Sequence, residues 1–165
     1  MTSDNYTISG RTLGANETRV VKVAGNVNIS ENIIYNKGLN YTILNTPKMV
    51  IYASGNINIG CGVGEIDALL IAGGAVYTCS GYTATDSGTW NNAARNRKLT
   101  IRGTIVASRI DFSRTWGNTV GAGTGEPAEE INYDTSAILW GRSMADAGES
   151  DTFTTVYQHE LAPRY

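Results

Sequence analysis

Val21-Lys-Val-Ala-Gly-Asn-Val-Asn-Ile29 is written almost again thirty residues later, as Ile51-Tyr-Ala-Ser-Gly-Asn-Ile-Asn-Ile59. Superposing the two puts Val21, Val23, Gly25, Val27 and Ile29 over Ile51, Ala53, Gly55, Ile57 and Ile59. Every second residue is apolar or glycine, the period of a strand with one buried face, and Asn26 and Asn28 fall over Asn56 and Asn58. A strand unit that recurs along the chain is the mark of a stacked β architecture. Anchoring on the glycine extends the series to Leu69-x-Ile71-x-Gly73-x-Ala75-x-Tyr77 and Leu99-x-Ile101-x-Gly103-x-Ile105-x-Ala107. The anchors Gly25, Gly55, Gly73 and Gly103 are then spaced 30, 18 and 30 residues apart. These spacings suit coils of two or three short strands, so the sequence predicts an all-β, single-stranded parallel β-helix, a solenoid in which the four glycines stack in one line. A β-sandwich is the alternative; against it, no Asn-Gly or Asp-Gly pair joins two alternating runs.

The length of 165 residues fits one domain. The expected division is a polar lead-in over 1–18 with one short strand at Tyr6 to Ile8, stacked coils over 19–113, and a loop with a C-terminal capping segment over 114–165. The 19 glycines and 9 tyrosines beside only 3 prolines suit a β-rich chain with many tight turns. With 13 basic and 15 acidic residues the net charge is near −2, which gives no electrostatic reason to expect nucleic acid as a partner. The longest apolar run, Ala68 to Tyr77, is about half of a membrane-spanning helix and reads as a buried strand. The opening Met1-Thr-Ser-Asp-Asn-Tyr-Thr-Ile-Ser-Gly10 lacks the basic start and apolar stretch of a signal peptide, and reads as a domain taken from a longer protein.

Two stretches interrupt the alternation. Thr83 to Arg97 and Arg114 to Pro127 have no apolar period and are expected as long excursions, where binding residues concentrate. Tyr82, Asp86, Trp90 and Trp116 fall in or beside them and, with Asp111, are the candidate ligand-facing residues, suited to stacking on a saccharide; aromatic anchors that seal loops are the alternative use. Beyond Pro127 a short helix or covering segment is expected over Ala128 to Gly141.

Cys61 and Cys79 are eighteen residues apart, the shift that superposes the second and third copies. On adjacent coils they would stand within disulfide reach, and a bond would imply an extracytoplasmic protein; two buried free thiols are the other possibility. Two thiols and the single distant His159 lack the spacing of a metal site, and no metal or cofactor is expected. Nor does any nucleophile motif accompany His159, and no catalytic residue is assigned. Gly117 to Gly125 matches neither phosphate-binding glycine pattern. The acidic residues, Asp67, Asp86 and Asp111 foremost, would serve a carbohydrate-processing β-helix enzyme only if they shared one groove. Asp111 alternates with Arg109 on one strand and is expected on a solvated face, paired with it.

Ile66-Asp-Ala-Leu-Leu-Ile-Ala, Thr78-Cys, Leu99-Thr-Ile-Arg-Gly-Thr-Ile-Val-Ala, Pro127-Ala-Glu-Glu-Ile-Asn-Tyr and the ending Tyr157-Gln-His-Glu-Leu-Ala-Pro-Arg-Tyr165 span most of residues 49–165. In these pieces the chain resembles a family of uncharacterised surface proteins from ultrasmall, candidate-phylum bacteria. The resemblance implies a β-helical module at the end of a larger extracellular chain and transfers no catalytic residue. Relatives look as if they carry a cysteine just before the Leu-Thr-Ile strand, where this chain has Arg95-Asn-Arg-Lys98. The function expected from all this is a non-enzymatic, extracellular structural or adhesive module. Surface glycans or a host-cell protein are its expected partners. The alternatives are the carbohydrate-processing enzyme and a solenoid that self-associates through its coil ends into a filament.

Overall fold

The fold follows from where the alternating runs find partners for their backbone hydrogen bonds. In a computed structural model, which describes residues 4–37, 42, 45–80, 97–114 and 127–134, they form twelve strands in two parallel sheets. The smaller sheet has the order β1-β4-β7-β9-β11 and holds Asp4–Ile8 (β1), Gly25–Ile29 (β4), Ile57–Ile59 (β7), Ala75–Tyr77 (β9) and Arg109–Asp111 (β11). The larger holds Arg11–Leu13 (β2), Thr18–Val23 (β3), Ile33–Tyr35 (β5), Lys48–Ala53 (β6), Glu65–Ala72 (β8), Leu99–Val106 (β10) and Glu129–Tyr133 (β12). Its order is β12-β10-β8-β5-β2, with β3 and β6 continuing alongside so that β6 also pairs with β8.

The expectation of a single-stranded β-helix is therefore corrected to two stacked sheets of five and seven strands, with no ladder joining one to the other among the described residues. Repeat spacing reports that strands lie parallel and in register, a property the two arrangements share; it carries nothing on how the sheets are joined. The lead-in is also more than a lead-in. Residues 4–13 supply β1 and β2, which pair with β4 and β5. Ala68 to Tyr77 is not one strand, because Gly73 and Gly74 divide it between the two sheets. Glu129 to Tyr133 extends as a strand beside β10 rather than coiling as a helix.

The core lies between the sheets. Val27, Ile29, Ile57, Ile59 and Val76 enter from the small sheet; Ile33, Ile51, Ile66, Leu70, Leu99 and Ile101 enter from the large one, all fully buried. Each such side chain contributes about 1.5–3 kcal/mol when taken from water, which makes these rows the main support of the fold.

The parallel order gathers the crossings between sheets at two sides. Crossings from the large sheet back to the small are short: Ala24, then residues 54–56, 73–74 and 107–108. Those from the small sheet to the large are short in the first three, residues 9–10, 30–32 and 60–64, and long in the last two, residues 78–98 and 112–128.

The short side carries the glycines and the asparagine ladder. Gly55 N–H donates to the Gly25 carbonyl at 2.9 Å, and Gly74 N–H, not that of Gly73, donates to Gly55 at 2.9 Å. Asn26 Oδ1 accepts from Asn56 N–H, Asn56 Oδ1 from Ala75 N–H, and Asn58 Nδ2 donates to Asn28 Oδ1, each at 2.8 Å. The single line of four glycines is thus corrected. Val50 stands opposite Leu69 and Ile57 opposite Val76, one residue beyond the expected shift of eighteen. Gly73 lies against Ser54, and Gly103 belongs to the large sheet, in the middle of β10 opposite Ala68. There its φ of 155° and the nearness of the Ala68 carbonyl both exclude a side chain.

Candidate functional site at the long crossings

The long side starts from a shared backbone scheme. Ser30 N–H donates to Ile8 O, Gly60 N–H to Ile29 O and Ser80 N–H to Ile59 O, so each crossing leaves over the one before it. From Ser80 the chain departs on the first excursion and returns at Arg97; from Arg114 it departs on the second and returns at Pro127. The two departures are fastened at a common root.

Its first fastening is covalent. Cys61 and Cys79 form a disulfide with their Cα atoms 4.4 Å apart. The bond forms although the strands beside it are one residue out of the expected register, since Cys61 lies beyond the end of β7 in the crossing 60–64. The second fastening is Arg114, only 6% exposed. Its Nε donates to Thr78 O at 2.8 Å, Nη1 to Cys61 O at 3.2 Å and Arg97 O at 3.4 Å, and Nη2 to Gly60 O at 3.0 Å. One planar guanidinium so ties its own crossing to four carbonyls of the two crossings before it, a use that suits its fixed fork of donors. Burial draws its pKa down to about 10, the neighbouring Glu129 carboxylate opposes that shift, and Arg97 adds to it. The side chain remains a cation at neutral pH.

Glu129 completes the root. Its Oε1 accepts from Thr78 Oγ1 at 2.9 Å and from Arg114 N–H at 2.8 Å, while Ser113 N–H donates to Thr78 Oγ1 at 3.0 Å. The chemistry here is holding: all the named groups engage one another.

Lower on the same side, the crossings 9–10, 30–32 and 60–64 leave a shallow depression of about 550 Å³. Arg11, Thr12, Glu31, Asn32 and Gly62 line it. Asn32 Oδ1 accepts from Gly64 N–H at 2.8 Å and Glu65 N–H at 3.2 Å, and Arg11 is paired with Glu17 at 2.9 Å.

Of the candidate ligand-facing residues, Tyr82, Asp86, Trp90 and Trp116 lie outside the described residues. Asp111 sits on β11 in the small sheet, with Arg109 Nη2 at 3.9 Å. Arg109 also donates to Tyr77 Oη at 3.0 Å and lies 5.7 Å over that ring. Asp67 is far from such a surface. It is 1% exposed in β8, where its Oδ2 accepts from Tyr35 N–H at 2.7 Å and its Oδ1 from Arg102 Nε at 2.9 Å. Here the pairing of β5 with β8, at Ile33 and Ile66, has ended and that of β6 with β8, from Val50 and Leu69, has not begun, and the carboxylate serves as acceptor for the last N–H of β5. Burial raises its pKa, against the pull of the Tyr35 N–H and Lys37, and Asp134 adds to the rise. Asp67 and Asp111 therefore stand on different sheets. Arg114 escapes sequence reading altogether: Ser113-Arg-Thr115 has the look of a polar loop, and only the fold reveals the carbonyls waiting for it.

Compared with protein-family models, with curated proteins and with solved structures, the chain matches none. No group of acids, cysteines or histidines among the described residues could hold a metal ion, and no helix among them is long and apolar enough to cross a membrane.

Proposed function

We infer that the protein is a non-enzymatic, extracellular module with a structural or adhesive role. The observation that carries this reading is the doubly fastened root: a cystine and a buried arginine hold the ends of two long excursions on a stack whose other crossings are short. A disulfide is compatible with an oxidising, extracytoplasmic setting. Rigid scaffolds that present long loops at one side are a common basis for recognition. The separation of Asp67 from Asp111 weighs against the paired carboxylates of a carbohydrate-processing enzyme. The resemblance to surface proteins of ultrasmall bacteria points the same way.

The test is retention of protein-coated beads on bacterial and eukaryotic cell surfaces. Retention is expected, and is expected to be lost when residues 81–96 are replaced by a short Gly-Ser linker. Cells treated with glycosidases or with proteases tell a glycan partner from a protein. Beads that are never retained, or that are retained equally without the excursion, sink the adhesive role.

A further inference from the structure

We propose that the depression between crossings 9–10, 30–32 and 60–64 is a binding subsite for a neutral saccharide bearing vicinal hydroxyls. The argument rests on which polar groups are already engaged there and which are left over. Asn32 spends its Oδ1 on two backbone N–H groups, which fixes the carboxamide and leaves its Nδ2 hydrogens without a partner among the described residues. The Glu31 carboxylate and the Thr12 hydroxyl likewise have no partner among those residues, and both are exposed. Gly10 is what lets the carboxylate lie where it does: a Cβ built there would come within 2.6 Å of Glu31 Oε2.

A carboxylate beside a primary amide offers acceptors next to donors, and vicinal sugar hydroxyls present the complementary pair, each able to give one hydrogen bond and receive another. Half-buried Ile34 supplies an apolar patch at the same place for the C–H face of a ring. Charge selects against an acidic sugar. Arg11 is held by Glu17 at 2.9 Å, a carboxylate it shares with Arg19 at 3.2 Å, whereas Glu31 presents its charge directly to the depression and would repel a carboxylate ligand there. The volume of about 550 Å³ lies in the range of small-ligand sites, and its shallowness implies weak binding, with a dissociation constant on the order of 1 mM.

This subsite deepens the adhesive reading by naming a ligand class, and it is tested on the isolated protein without cells. Saturation-transfer NMR with maltose, cellobiose and mannobiose is expected to show transfer to at least one of them, and none to glucuronic acid. Asn32→Asp keeps the structural acceptor and removes the donors; Glu31→Gln keeps the shape and removes the charge. Each is expected to weaken binding about tenfold. Gly62→Leu is the steric block, since nothing stands within 4 Å of a Cβ at that exposed position. It is expected to abolish binding while leaving the urea midpoint unchanged. Absence of transfer from every neutral disaccharide overturns the proposal, as does preference for glucuronic acid. So does full binding by Gly62→Leu; if that variant fails to fold, full binding by Glu31→Gln does the same. Beads that fail on cells while the saccharides bind would overturn adhesion and leave the subsite standing.

Discussion

The two sides of the stack solve the same problem, returning the chain from one sheet to the other, by opposite means. On the short side the return is made in one to three residues, and successive N–H groups, those of Gly73, Gly74 and Ala75, go to Ala53 O, Gly55 O and Asn56 Oδ1. Nothing there can lengthen without stranding a donor. On the long side the crossings reach residues 78–98 and 112–128, and to the backbone bonds at their ends two fastenings are added, a cystine and a buried guanidinium. One side fixes register, the other tolerates length. That division is why loop variation, and with it recognition, belongs on the long side.

If the root depends on its fastenings, the largest effect comes from removing the cation. Arg114→Met fills similar space and keeps the backbone N–H that serves Glu129, but leaves four carbonyls without their donor and Glu129 without its neighbouring cation, at an expected cost of about 3–5 kcal/mol in urea unfolding. A loss under about 1 kcal/mol would mean that the long side is held by its strands after all. Reducing the Cys61–Cys79 bond is expected to cost about 2–4 kcal/mol, since it closes a short loop in the unfolded chain.

The sharpest test of the contrast is one glycine inserted at either side. Between Gly73 and Gly74 it must displace one of three engaged N–H groups, at about 2–3 kcal/mol. Between Gly62 and Val63, beside an exposed residue, it crosses one turn bond, from Val63 N–H to Gly60 O at 3.0 Å, and the cost should be about 1 kcal/mol. Equal midpoints for the two insertions would erase the distinction.

Much of this was legible before folding, and the failures have physical reasons. Alternation in Val21 to Ile29 and its copy identified real parallel partners, since Val21 stands opposite Ile51 and Val27 opposite Ile57. Asparagine pairing across that repeat was readable for the same reason. The third copy misled because Ala68-Leu-Leu-Ile-Ala72 is apolar at every position; its period cannot say which face is inside. The buried set is Ala68, Leu70 and Ala72, whereas alternation from Leu69 and Ile71 selects the other face. Tandem Gly73-Gly74 then offers two anchors, and spacing alone does not tell them apart. Gly103 answers to a different need, a close approach inside β10, that no repeat encodes. At the root the cysteine pair could be read from spacing, but Arg114 could not, because a long cation in a polar segment finds its carbonyls only once three crossings are superposed.

A last and smaller effect separates the break in the large sheet from both sides. Asp67 stands where β8 changes partner from β5 to β6, and burial raises its pKa above the ordinary value of about 4 for an aspartate. Through the interval between those two values the folded chain keeps a proton that the unfolded chain has released. Stability contributed by this group therefore falls as pH rises across the interval and is level above it. Half-buried Glu17 and Glu130 act in the opposite sense: hydrogen bonds from Arg11 and from Lys98 lower their pKa values, so their support is present at neutral pH and is lost in acid. Asp67→Asn isolates the first contribution, because the other two are common to both proteins. The difference between variant and parent in urea midpoint should move in the variant's favour as pH is raised from about 4, then become constant. A difference that moves the other way would mean that the Tyr35 N–H and Arg102 outweigh burial, making the break in the ladder an anchoring point for charge.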